Sequence, residues 1–337
     1  MTKNQVHKVI FYMTFCVLLF LYLYVFMNIP HSFFRDRDVY IIYAEKSQDL
    51  YDAYGGMTVY ANEPIFLKLN IFLSNFISSS NIVFIFLFFC LLGTLILLFK
   101  HSKNVFNFIM GMFLILFCHY AFHSQLVVLR QSISTIILLF FLTYTDNKKN
   151  IILVSFFCSF IHSSFFLITF LLILYYTIPI YSLKIKSLII FLTSAFLGLF
   201  IKLIGGYLGI RQASEDHILS AVSVGGGAFL CFLIILIYFL FFIKEEKNNN
   251  IYQFSILGLS LFLGLYFINP AAGRLMSTFI LPIIFVLCSK FNMANNILIF
   301  FLLILFFCLD VQGVMSGMSM NTDFHHLFKY IRMNIVP

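Results

Sequence analysis

Between residues 9 and 29 the chain runs without a formal charge, and long apolar runs recur from there to its far end. A helix needs about 20 consecutive apolar residues to cross a bilayer core of roughly 30 Å. Residues 9–29 meet that length, and further runs lie at 82–99, 105–122, 126–144, 188–204, 222–243, 251–268, 275–289 and 291–309. Hydrophobic residues make up 62% of the chain and charged ones 10%, against about 45–50% and about 25% in soluble domains. A water-soluble fold of this length cannot hide so much apolar surface, so lipid is the solvent for most of it.

Residues 9–29 follow Lys3 and Lys8 and lack a small-residue cleavage site, which predicts a retained first helix rather than a signal peptide. No repeat or Pro/Gly/Ser linker divides the chain, so residues 1–337 read as a single membrane domain. Its polar parts are a long first outer loop at 30–80, a second loop at 205–221 and a tail at 310–337. Within the first loop, 65–77 reads as an amphipathic helix lying in the interface.

Residues 151–183 carry no formal charge over 33 positions, roughly 50 Å as one helix. That overshoots a membrane, and a hairpin turning at His162-Ser163-Ser164 fits better. The positive-inside rule favours the same choice. With the hairpin, Lys3, Lys8, Lys100, Lys103, Lys148, Lys149, Lys184, Lys186, Lys244, Lys247 and Lys290 share the cytoplasmic side. The expectation is an all-α, polytopic transmembrane bundle of about 10–11 spans with the C-terminus outside. All six arginines (Arg35, Arg37, Arg130, Arg211, Arg274 and Arg332) then fall on the outer side. Arginine, unlike lysine, offers a planar fork that grips phosphate or carboxylate through two hydrogen bonds.

The net charge of +8 would suggest nucleic acid in a soluble protein, but this two-sided distribution excludes that partner. The seven cysteines sit in separate apolar runs with no CxxC pattern, so neither disulfides nor zinc are indicated.

Arg130 is the sharpest single signal. It stands near the outer end of an apolar run, beside Gln131 and close to His123, and a charge at such depth usually marks a site. A snorkelling arginine is the bland alternative. Arg274 repeats the arrangement after the short connection 269–273. Arg211 lies in a polar insert, where a solvated loop is the simpler reading. His162, at the proposed outer turn, is suited to accept a proton, its ordinary pKa being near 6.5. The first loop supplies Arg35, Asp36, Asp38, Tyr40 and Glu63. Its Asp-x-Asp is a pattern found in membrane glycosyltransferases that use lipid-phosphate donors, and tyrosines among carboxylates suit sugars. No His/Cys ligand cluster is present and several arginines can take the place of a cation, so no metal or other cofactor is expected.

In order and spacing the chain resembles the EpsG/Wzy group of bacterial polysaccharide polymerases. The likeness rests on Arg35, Asp38 and Tyr40, then Glu63-Pro64-Ile65-Phe66, Leu129-Arg130-Gln131, Phe160-Ile161-His162-Ser163-Ser164, Arg274-Leu275 and the closing Ile335-Val336-Pro337. The resemblance implies a GT-C-like glycosyltransferase of the bacterial inner membrane, with O-antigen as the foremost product. Such an enzyme works at the periplasmic face, moving the growing glycan from undecaprenyl diphosphate onto a new lipid-linked repeat unit. It implies donor and acceptor lipid-linked oligosaccharides and the bilayer as partners, with a chain-length regulator as a further one. Arg130, Gln131, Arg211, Arg274, Arg35, Tyr40 and His123 would bind substrate, and His162, Glu63 and Asp38 compete for the base. A flippase would carry its ionisable groups nearer the midplane. A membrane O-acyltransferase would carry Arg and His on the first span, where 9–29 has neither.

Overall fold

The computed structural model describes residues 3–54, 60, 62–179, 182–204, 226–243, 249–312, 319–322 and 324–335. In chain order the helices are α1 (Lys3–Met27), α2 (Arg37–Glu45), α3 (Ser47–Ala53), α4 (Pro64–Ser74), α5 (Ser79–His101), α6 (Val105–Phe117), α7 (His119–Leu126) and α8 (Leu129–Tyr144). They continue with α9 (Lys148–Ser159), α10 (Phe165–Thr177), α11 (Leu183–Ile204), α12 (Gly227–Phe242), α13 (Asn250–Leu265), α14 (Ala271–Cys288), α15 (Met293–Val311) and α16 (Phe324–Asn334). A 3-10 turn, His31–Phe33, precedes α2. Among the described residues the sole extended pairing is an antiparallel bridge between Phe34 and Met320. The protein is a polytopic helical bundle.

Among the described residues five helices are long and apolar enough to cross a membrane alone: α1, α5, the first 18 residues of α11, α14 and α15. The expected count of about 10–11 crossings also draws on α8, α10, α12 and α13, each apolar but only 13–16 residues long. At 1.5 Å per residue these reach about 20–24 Å.

The run at 105–122, read as one span, breaks at Cys118, and α6 and α7 meet at 80°. Cys118 adopts an extended conformation, and the segment after it turns polar with His119, His123, Ser124 and Gln125. The hairpin in 151–183 is present: α9 ends at Ser159 and α10 begins at Phe165, with His162 in the turn. The first loop, read as polar with one interfacial helix, instead holds α2, α3 and α4. Arg37, Tyr40 and Ala44 are the buried positions of α2, a spacing of three and four that makes one face of a helix. Helix α4 begins with Pro64 at its first position, where a missing N–H costs nothing. It buries Phe66, Leu67 and Asn70 and exposes Leu69 and Phe72.

Helix α13 is buried along its whole length and packs against α11, α12, α14 and α8. Two glycines admit it. A Cβ on Gly258 would lie 2.1 Å from Cγ of Phe279 on α14, and one on Gly264 would lie 2.5 Å from the Phe191 carbonyl oxygen on α11. In lipid, where apolar burial supplies little drive, such close approach is what holds helices together.

The two ends of the bundle differ in chemistry. At one end Lys100, Lys148, Lys184 and Lys186 lie over Tyr144, Tyr176, Phe241 and Tyr175 at 5.5, 5.3, 3.8 and 4.7 Å. Helices α6, α9, α13 and α15 start there. Each is capped by an asparagine, Asn104, Asn147, Asn249 or Asn292, whose side chain accepts a backbone N–H at 2.8–3.0 Å. At the other end lie the α7–α8 junction, the turn between α9 and α10, and the first loop.

Candidate functional site

The site is assembled at the second end from three separate stretches. Glu63 stands immediately before α4 with φ at 58°, a left-handed conformation rare for a non-glycine residue. The Ile65 N–H donates to the Phe160 carbonyl at 3.1 Å, which ties the start of α4 to the turn after α9. That tie brings Glu63 to His162 although they are 99 positions apart in sequence.

Every oxygen of Glu63 is engaged. Oε1 is 2.7 Å from Nδ1 of His162 and accepts the Ser163 N–H at 3.2 Å. Oε2 accepts from Nη1 of Arg130 in an ion pair. Burial alone would raise the Glu63 pKa. The His162 hydrogen bond and the Arg130 charge, helped by Ser163, outweigh it and hold the carboxyl below its ordinary value. Glu63 is therefore an anion committed to its partners. The side chains of Arg130, His162 and Glu63 remain 24%, 23% and 10% exposed, so the cation and the imidazole are reachable while the carboxylate between them is nearly covered.

Arg130 occupies the first turn of α8. Its guanidinium lies over the rings of Tyr43, Tyr40 and Phe66 at 4.8, 5.5 and 5.6 Å, an aromatic cradle that favours a cation. Its backbone N–H points to the Tyr40 hydroxyl at 3.5 Å, and burial raises the Tyr40 pKa. The next residue turns the other way: Gln131 Nε2 donates to the Arg274 carbonyl at 2.8 Å and to Thr278 Oγ1 at 2.7 Å. The first turn of α8 thus joins the carboxylate site to α14.

A second polar group lies beside it. His123 Nδ1 is 3.1 Å from Ser319 Oγ, and the charges of Asp36, Arg274 and Arg35 act on His123. Arg35 and Arg274 are exposed. The Arg35 N–H donates to the Ser319 carbonyl at 3.2 Å, so the segment 319–321 is stitched onto the first loop.

Of the residues singled out in the sequence, Glu63, His162, Arg130 and Tyr40 meet in one cluster, with Gln131 adjoining it. His123, Arg35 and Arg274 gather in the second group. Asp38 is exposed on α2, whose buried positions include Arg37 and Tyr40, and among the described residues it does not join Glu63 and His162. Arg211, with the whole of the 205–221 loop, lies outside the described residues. Among the described residues no three His, Cys, Asp or Glu side chains converge as metal ligands. Tyr43 is not singled out by the sequence, and Arg37 enters there only as one of the six outer arginines, not as a site residue. The signal was their spacing of three from Tyr40 on either side, legible once 37–45 is known to be a helix.

A helical bundle with membrane-crossing helices defines a multi-pass membrane protein, and at one end it brings a cation, a carboxylate and an imidazole into contact. No curated protein and no solved structure matches the chain. The EpsG family matches residues 13–330, nearly the whole length, and the chain belongs to that family. Membership supports a polysaccharide-polymerase type of function.

Proposed function

We propose that this protein polymerises a bacterial surface polysaccharide, O-antigen foremost, at the periplasmic face of the inner membrane. It transfers the growing glycan from undecaprenyl diphosphate onto a newly delivered lipid-linked repeat unit. The observation that carries this reading is the single cluster of Arg130, Glu63 and His162, one group for each demand of the reaction.

Glu63 accepts the Nδ1 proton of His162, which leaves Nε2 unprotonated and able to take a proton. Nε2 makes no hydrogen bond among the described residues. The hydroxyl of the acceptor sugar gives its proton to this nitrogen while its oxygen attacks the anomeric carbon of the growing glycan. The bond from that carbon to the phosphate oxygen breaks, and undecaprenyl diphosphate departs with the electron pair. The charge developing on it needs a fixed cation. Arg130 keeps guanidinium N–H groups beyond the one given to Glu63, and Arg35 and Arg274 add charge nearby. Glu63, with both oxygens engaged, orients the base and is not itself the base.

The test is a deletion strain whose surface polysaccharide is resolved by chain length. Loss of the gene should leave a single repeat unit on its carrier, and the wild-type gene should restore the ladder. His162→Gln, expressed at the same level, should lower polymerisation by about 10²–10⁴-fold, the usual worth of a general base. Long chains in the deletion strain, or a full ladder from His162→Gln, would overturn the reading.

A further inference from the structure

Helix α7 ends at Leu126 and α8 begins at Leu129, so Val127 and Val128 form a two-residue elbow just before Arg130. A carbonyl in the last turn of a helix lacks an intrahelical donor and seeks one elsewhere. At Leu126 the donor is Arg37, whose Nε lies 3.0 Å from the carbonyl oxygen. The Arg37 guanidinium is also 4.1 Å over the Phe34 ring. Arg37 is fully buried, and its Nη1 and Nη2 have no hydrogen-bond partner among the described residues. Three and six positions on along α2, Tyr40 and Tyr43 address Arg130 itself. One face of one helix therefore holds the elbow and then the side chain that leaves it.

We propose that Arg37 is a positioning residue for Arg130: by capping α7 it fixes the elbow from which Arg130 projects, and so sets where the guanidinium stands against Glu63. This rests on the reading of Arg130 as the cation that meets the lipid diphosphate. A cation at a helix C-terminus is favoured by the helix dipole. Stability alone does not account for Arg37, however. A buried charge with two unpartnered nitrogens is an expensive way to fill space, and an apolar side chain of similar length fills it without that cost. Burial pushes the Arg37 pKa down to about 9, still a cation at neutral pH. What an apolar side chain lacks is the donor to Leu126.

The experiment compares Arg37→Met and Arg37→Lys, each with Arg130 intact and with Arg130→Lys. Chain-length distribution is read in the deletion strain, acting on its own lipid-linked repeat unit, and Tm on the purified protein in detergent. Arg37→Met should reduce polymerisation at least tenfold while Tm holds or rises. Arg37→Lys, still a donor and a cation, should recover part of the loss. In the Arg130→Lys background, Arg37→Met should cost less than it does alone, because its effect passes through Arg130. A full ladder from Arg37→Met would overturn the proposal. So would Tm and activity falling together with losses that simply multiply, the behaviour of a brace for the fold. Arg130→Ala separates the two levels. If it polymerises normally, the diphosphate reading fails and this inference with it. If it is inactive while Arg37→Met is active, only the inference fails.

Discussion

Replacing Glu63 by glutamine keeps the shape of the side chain and removes its charge, and the geometry says what must then go wrong. The carboxylate presents acceptors on both sides, Oε1 to His162 and Ser163 and Oε2 to Arg130. An amide has one acceptor and one donor. If its NH2 faces Arg130, two donors confront each other and the guanidinium loses its fixed position. If its NH2 faces His162, Nδ1 must become the acceptor and the proton moves to Nε2, the nitrogen that has to be free. Either orientation forfeits one charge-assisted hydrogen bond, worth roughly 1.5–3 kcal/mol. At about 1.4 kcal/mol per decade, polymerisation should fall by about one to two orders of magnitude. The assay is chain-length distribution in the deletion strain with protein level matched, backed by single-turnover transfer with purified protein. Glu63→Asp, which keeps the charge and shortens the reach, should retain more activity than Glu63→Gln. Wild-type chains from well-expressed Glu63→Gln would refute the view that this carboxylate orients both partners.

Three more outcomes are expected. Arg130→Lys keeps the charge without the planar fork and should retain part of the activity, whereas Arg130→Ala should lose about one to two decades, read as laddering at equal expression. The pH dependence follows from the Glu63 pKa being held below its ordinary value: the stabilisation it gives is present above that value and is lost as pH falls through the lower folded-state value. The Tm gap between wild type and Glu63→Gln should therefore stay open from neutrality down through roughly pH 4.3 and close only below it; a gap closing above pH 5 would contradict this. Gly258→Ala places a methyl 2.1 Å from Phe279 and should destabilise the α13–α14 pair by about 1–3 kcal/mol, seen as a lower Tm in detergent.

Much of this arrangement was legible in the residues themselves. The overlong uncharged stretch 151–183 demanded a turn, and the turn stands at His162. Arg130 stood out as a charge in an apolar run, and Glu63 as one of the carboxylates of the first loop. Their meeting was not legible, because the contact spans 67 positions in one direction and 99 in the other, and no periodicity reports such distances. Asp38 and Arg37 were hard to rank for a related reason. In Arg35-Asp36-Arg37-Asp38 the charges look alike until the helix that begins at Arg37 turns one inward and the other out to solvent. The break at Cys118 is marked by neither proline nor glycine. Only the polar residues that follow hinted that the run could not continue straight.

The bridge between Phe34 and Met320 bears on the order in which the protein is made. The segment leading into α2 is among the first to emerge, and its partner strand is among the last. At about 5–20 residues per second, roughly 290 residues of synthesis separate them, an interval of about 15–60 s. Through that time the segment leading into the helix that cradles Arg130 lacks this contact, so the frame of the candidate site is complete only once Met320 has been made. A nascent or truncated chain would therefore hold every member of the cluster and still lack this part of its frame.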